Sequence, residues 1–353
     1  MNNASRRNFL KTGAAAALLP LLTRTAFGAS GNDKPVIRPD ALRSGDVIGL
    51  ITPSSPSFEG NRTKIETKLN LESLGFNVKF AKNVLKKRGY LAGTVQERVS
   101  DIHEMFADPE VKAIMAIRGG YGSAQLLPHL DYKLIKKNPK IFVGYSDVTS
   151  LLLGIHKKTG LVTFHGPMAT STFTDYTKKY FLDTLGETEP VGLINSAQFS
   201  SGANPIDLVW SYNKGTGEGR LIGGNSTLMQ TTIGTPYEFD TDDAILFIED
   251  IGEEPYDLDR MLHHFKQAGK FDKCRGVFFD RLDSAKPANY EPAFNSTLSV
   301  EEIIEDVFKD YDFPVCVGFS IGHIKDKPTL PLGIKTRLDA DKGQISLLEA
   351  AVI

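Results

Sequence analysis

Between residues 46 and 164, short apolar runs alternate with segments of helical period, and this alternation narrows the possible folds more than any other feature. Residues 46–53 (DVIGLITP), 76–80, 111–117, 140–145 and 161–164 read as strands. Residues 62–73, 96–106 and 148–158 read as the helices between them. That rhythm predicts an α/β fold: a doubly wound, mostly parallel sheet covered on both faces, binding its ligand beyond the carboxyl ends of the strands. Residues 187–219, rich in Gly, Ser, Asn and Pro, read as a linker. The expected division is therefore an α/β domain over 29–186 and a C-terminal α/β or β-rich domain over 220–353. In the second, 221–230 is expected to be a glycine-rich turn entering a helix. Strands follow at 244–248, 276–279 and 315–319, helices at 258–266 and 300–308, and a hairpin turns around Asp341-Lys342-Gly343.

The first 28 residues stand apart. Ser5-Arg6-Arg7-Asn8-Phe9-Leu10-Lys11 reads as a twin-arginine export motif, followed by an apolar stretch over 14–22 too short to span a bilayer. Small residues at Ala26-Phe27-Gly28 offer a cleavage site, so the segment is set aside from the fold, no membrane span is expected after its removal, and a periplasmic or extracytoplasmic location is expected. A net charge of −2, with Lys and Arg scattered, argues against nucleic-acid binding. The two cysteines, Cys274 and Cys316, read as buried free thiols. No metal is expected, because His263 and His264 are adjacent on a helical pattern and no His-Glu-x-x-His spacing occurs. No cofactor is expected either. Gln125 replaces the third glycine that a dinucleotide fingerprint beginning at Gly120 requires.

The chemistry is sought at the ends of strands. Strand 111–117 runs into Arg118-Gly119-Gly120-Tyr121-Gly122-Ser123, after which an apolar helical spacing resumes. A serine on a tight strand-to-helix turn has an exposed hydroxyl and backbone N–H groups beside it, which acyl transfer needs. The alternative is that Ser123 only caps the helix. A serine nucleophile requires a base and an orienting carboxylate. His165 and His323 each follow an apolar strand beside a glycine, and pattern alone does not separate them. Glu249 closes strand 244–248 and is the candidate orienter; Asp147 is its rival, with N-cap of the helix at 148 as its alternative role.

These residues resemble the serine LD-carboxypeptidases, the muramoyl-tetrapeptide carboxypeptidases, whose family includes the microcin immunity peptidases. The resemblance rests on Arg118-Gly119-Gly120-Tyr121-Gly122-Ser123 with Leu126-Leu127 and Leu130-Asp131-Tyr132, and on Gly144-Tyr145-Ser146-Asp147-Val148-Thr149. His165-Gly166-Pro167-Met168, Gly223-Gly224-Asn225, Phe247-Ile248-Glu249-Asp250, Pro255-Tyr256, Asp259-Arg260 and Gly322-His323 continue it over roughly residues 43 to 350. It implies a triad in the order Ser, Glu, His, carried onto Ser123, Glu249 and His323, a site between two domains, and a homodimer. The backbone N–H groups of Gly120 and Ala124 would then form the oxyanion hole. The implied reaction is hydrolysis of the L,D-peptide bond that releases terminal D-alanine from murein tetrapeptides. The export motif departs from the family's usual cytoplasmic members, and Ser226 follows Asn225 where the family more often has Leu.

Asn225, Arg260 and Trp210 are further candidates for substrate binding, with Arg118 beside Arg260 as a cation for a terminal carboxylate. Two rival functions remain. One keeps the triad but cleaves an aminoacyl or peptidyl nucleotide conjugate, with Trp210 stacked on the base. The other is a non-catalytic binder of wall peptides.

Overall fold

The computed structural model describes residues 36–195, 209–282, 285–287 and 293–353; the export segment lies outside them. Five strands, β1 (Val47–Ile51), β2 (Asn77–Phe80), β3 (Val111–Ala116), β4 (Ile141–Gly144) and β5 (Phe164–His165), form a parallel sheet in the order β5-β4-β3-β1-β2. β3 and β4 are apolar and almost wholly buried, as strands covered on both faces must be. The helices α1 (Asn61–Ser73), α2 (Val95–Ala107), α3 (Tyr132–Lys137), α4 (Thr149–Thr159) and α5 (Asp175–Gly186) connect them or follow them. α2 starts where Thr94 accepts from the N–H of Glu97 and Glu97 accepts in return from the N–H of Thr94, closing two open donors. It then buries Val99, Ile102, Met105 and Phe106. Strand order reverses between β1 and β3, so the loops after those two strands flank a crevice.

A second sheet gathers β6 (Gly192–Ile194), β7 (Trp210–Asn213), β8 (Thr216–Asn225), β9 (Ala244–Glu249), β10 (Gly276–Asp280) and β11 (Val315–Phe319). Of the last three strands, β12 (Leu330–Pro331) joins the first sheet against β5. β13 (Lys335–Asp339) and β14 (Gln344–Leu347) belong to the second, whose order is β6-β14-β13-β8-β9-β10-β11-β7. β8 to β11 run parallel, and the outer strands are antiparallel. Helices α6 (Ser226–Gln230), α7 (Pro255–Gln267) and α8 (Val300–Phe308) complete the fold. No helix among the described residues is long and apolar enough to cross a membrane.

Two expectations about organisation need correction. Residues 187–219 hold the edge strands β6 and β7 and the start of the interior strand β8, so the described parts of that stretch belong to the second sheet rather than to a linker. The chain also returns: β12 pairs with β5, and the N–H of Leu332 bonds the carbonyl of Thr163 at 2.8 Å. The expected turn at Gly223-Gly224 is the end of strand β8. A Cβ on Gly223 would lie 2.0 Å from the Phe247 carbonyl oxygen, and one on Gly224 2.4 Å from Thr149 Cγ2. These glycines serve close approach, seating β8 on the first residue of α4, where Thr149 Oγ1 accepts from the N–H of Asn225 at 3.2 Å.

Candidate active site

β4 ends at Gly144, Tyr145 is extended, and Ser146 takes φ +61° before a short 3₁₀ turn leads into α4. Serine in the left-handed region costs about 1–3 kcal/mol and persists only where its surroundings enforce it. Two glycines make the room. A Cβ on Gly144 would meet Val148 Cγ1 at 2.8 Å, and one on Gly119 would meet Ser146 Cβ at 3.1 Å. The result is a sharp strand-to-helix elbow with a serine at its apex. Ser146 lines an open cleft of about 490 Å³ together with Tyr145, Arg118, Gly119, Gly120 and His323.

The imidazole arrives from the second sheet. After β11 the chain turns at Gly322, φ +74°, where a Cβ would lie 2.4 Å from Glu249 Oε2. That vacancy lets the backbone pass the carboxylate and brings His323 Nδ1 to 2.8 Å from Glu249 Oε2. A carboxylate accepts, so Nδ1 carries the proton and Nε2 is the basic nitrogen. Glu249 closes β9 with no exposed surface, and its register partner on β8 is Asn225, the residue bonded to Thr149. The Tyr145 ring meets the His323 ring edge-on at 5.0 Å.

Neighbouring acids are pushed toward the neutral form. Burial first, then the charge of Glu249, pushes Asp250 up to about 8 and Asp280 well above the carboxylate range. Burial pushes His165 down to about 4, so it is a neutral ring between Tyr145 and Phe247 and is not the cleft's base. Burial also depresses the Lys327 ammonium, which lies 5.2 Å over the Tyr145 ring.

Ser123, the expected nucleophile, does not reach the cleft. It is fully buried, and its hydroxyl donates to the backbone carbonyl of Asp147. Its N–H donates to Asp147 Oδ2 at 2.8 Å, that of Gly122 donates to Oδ1 at 3.2 Å, and Ser54 Oγ donates to Oδ2 at 2.5 Å. Ser123 and Asp147 thus clasp the glycine turn to the elbow. Asp147 is neither the orienter of an imidazole nor the cap of α4. Ala124 is not among the cleft residues, whereas Gly120 is.

The remaining candidates are dispersed. Asn225 caps α6, accepting from the N–H of Leu228 at 3.3 Å. Arg260 pairs with Asp257 on the solvent side of α7 and lies 5.3 Å over the Tyr256 ring. Trp210 pairs with Val317 at a sheet edge. Cys274 and Cys316 are buried free thiols, and no cluster of metal-ligating side chains occurs among the described residues. The residue that sequence reasoning missed is Ser146. Its signal was Gly144-x-Ser146 between the strand IFVG and a helix.

Residues 48–166 match the LD-carboxypeptidase N-terminal domain, and residues 218–338 match the LD-carboxypeptidase C-terminal domain. The chain belongs to the LD-carboxypeptidase family. It is accordingly a hydrolase, a serine-type carboxypeptidase. The "Probable murein peptide carboxypeptidase" of Bacillus subtilis (strain 168) is 39% identical to it over 322 residues, 89% of this chain and 95% of that protein. The "Microcin C7 self-immunity protein MccF" of Escherichia coli is 31% identical, covering 87% of this chain and 94% of that one. Among solved structures, a point mutant of MccF in complex with adenosine monophosphate superposes with a TM-score of 0.78 at 29% identity, over 90% of this LD-carboxypeptidase and all of that chain. Muramoyltetrapeptide carboxypeptidase from Oxalobacter formigenes gives 0.71 at 30% identity, over 85% and 97%.

Proposed function

We propose that this LD-carboxypeptidase removes the terminal D-alanine of murein tetrapeptides with Ser146 as nucleophile, His323 as base and Glu249 as the group that orients it. The observation that carries the assignment is the elbow, a strained serine in the same cleft as an imidazole whose far nitrogen is held by a buried carboxylate. His323 Nε2 takes the hydroxyl proton as Ser146 Oγ attacks the L,D-peptide carbonyl, and later returns it to the departing amine of D-alanine. The N–H groups of Asp147, the residue after the elbow serine, and of Gly120 are the donors for the tetrahedral oxyanion. Each such donor is worth about 10²–10³ in rate. Water then releases the acyl group from Ser146.

The murein reading is favoured by the Bacillus subtilis relative, the nearer in identity of the two described above. The nucleotide-conjugate reading had Trp210 as its stacking partner, and that ring sits in β7, away from the residues that line the cleft. The leader at Arg6-Arg7 favours action outside the cytoplasm. Incubating purified protein with a defined tetrapeptide and reading free D-alanine by mass spectrometry tests the proposal. Release is expected from wild type and its loss from Ser146→Ala; a wild type that leaves the tetrapeptide intact refutes it.

A further inference from the structure

We infer that Arg118 is the specificity-determining residue that receives the substrate's terminal carboxylate, an inference that rests on the carboxypeptidase reading. An exopeptidase must distinguish a chain end from a chain interior, and the distinguishing group at this end is an anion beside the leaving amine. Arg118 is the one Lys or Arg among the described residues that line the cleft with Ser146 and His323. It is rooted next to Gly119, the residue whose Cβ would touch Ser146, so its Cα is one peptide step, about 3.8 Å, from the elbow's neighbour.

Its guanidinium carbon lies 5.0 Å over the Phe58 ring, while its hydrogen bond to protein, from Nη1 to the Pro56 carbonyl, is long at 3.4 Å. Among the described residues it makes no ion pair. A planar fork over an aromatic ring, committed to one long hydrogen bond, has parallel N–H donors to offer a planar carboxylate. The acids in the same cleft are already matched: Glu59 and Glu66 pair with Arg62 at 3.2 and 2.7 Å. Other nearby cations are committed or enclosed. Arg98 is buried and donates to the carbonyls of Pro53 and Gly122 and to Gln125 Oε1, and Lys327 lies buried over Tyr145.

Calorimetric titration of the Ser146→Ala protein with a murein tetrapeptide, as its free acid and as its C-terminal amide, tests the inference. The acid is expected to bind about 10–100-fold more tightly, the range of a charged hydrogen bond. Arg118→Met in that background should collapse the ratio to near one, and Arg118→Lys should keep part of it. Should Arg118→Met fail to fold, judged by circular dichroism, Arg118→Gln supplies the same comparison. Equal binding of acid and amide by the parent, binding of neither, or a ratio that survives loss of the guanidinium overturns it. D-alanine release by wild type with an Arg118-independent ratio sinks this inference alone. An Arg118-dependent ratio without D-alanine release sinks the murein reading alone.

Discussion

The two serines offer the sharpest separation of roles. Ser123 and Ser146 both follow β-strands, and both turns carry glycine, yet one hydroxyl faces a carbonyl in the interior and the other faces the cleft. Ser123→Ala deletes one buried donor and leaves the Asp147 carbonyl without it. The expected cost is about 1–3 kcal/mol of stability, a fall in melting temperature of a few degrees for a chain of this size. The backbone half of the clasp survives, because the Asp147 carboxylate still accepts from the N–H groups of Gly122 and Ser123 at 3.2 and 2.8 Å. The glycine turn should then drift only slightly, and kcat should fall by about tenfold, within what a loosened oxyanion donor costs. Ser146→Ala removes the attacking atom, and its kcat should fall by about 10⁴–10⁶, as loss of a nucleophile does in a serine peptidase. Its melting temperature should hold, since the change removes a cleft-lining hydroxyl and leaves the φ of +61° and its surroundings as they are. Thermal unfolding, steady-state D-alanine release and peptide mapping after treatment with a fluorophosphonate would be read on all three proteins. A folded Ser123→Ala protein that is dead, beside an active Ser146→Ala protein or a phosphonate adduct on Ser123, would refute the assignment.

Gly322→Ala should cut kcat by at least about 10²-fold, because a Cβ there would lie 2.4 Å from Glu249 Oε2 at φ +74° and would separate the carboxylate from His323; an unchanged kcat in a folded variant would deny that the pair matters. Asp250→Asn should flatten the alkaline side of the stability profile. With its folded pKa near 8 and an ordinary value near 4, Asp250 keeps a proton that the unfolded chain loses, so wild-type stability falls as pH rises through that window, by at most about 1.4 kcal/mol per pH unit. Denaturant melts at pH 5 and pH 8.5 would show the variant gaining on wild type at the higher pH. His165, depressed to about 4, works in the opposite sense: between about 6.5 and 4 the unfolded chain binds the extra proton, so stability is lost on acidification. His165→Phe should shrink that loss in the same melts.

Much of the architecture was legible because it rests on period. The apolar runs at 111–117, 140–145 and 244–248 had to be buried strands, and they are β3, β4 and β9 within a residue or two. The apolar stripes of α2, α7 and α8 likewise fix a face, though α7 begins three residues before the expected helix, at Pro255. What period does not carry was missed. β6 and β7 are short edge strands in a polar, glycine-rich stretch, held by neighbours distant in sequence. The return of β12 to β5 is a pairing across more than 160 residues that no local pattern announces. Glu249 was legible because strand ends deliver side chains to clefts, whereas His323 stood level with His165 on pattern and was separated from it only by the family resemblance.

The serine was misplaced for a related reason. Glycine advertises unusual backbone angles, so the turn with three glycines at 119–122 drew the inference toward Ser123. There the glycines absorb the positive φ themselves, Gly120 at +118° and Gly122 at +116°. The neighbouring serine is consequently unstrained and free to bond inward. At the other turn the glycines sit at 144 and across the gap at 119, and the positive φ falls on Ser146 itself. A nucleophile is thrust outward by the strain placed on its own residue, and strain of that kind is a property of the assembled turns. Gly119 is where the two readings meet, since its missing Cβ is the space into which the elbow folds. Filling it with alanine should displace Ser146 while leaving the Ser123 hydroxyl bonded to the Asp147 carbonyl. An inactive Gly119→Ala protein with near-native stability would therefore locate the chemistry at the elbow, and an active one would mean that the approach of these two loops is not what sets the nucleophile.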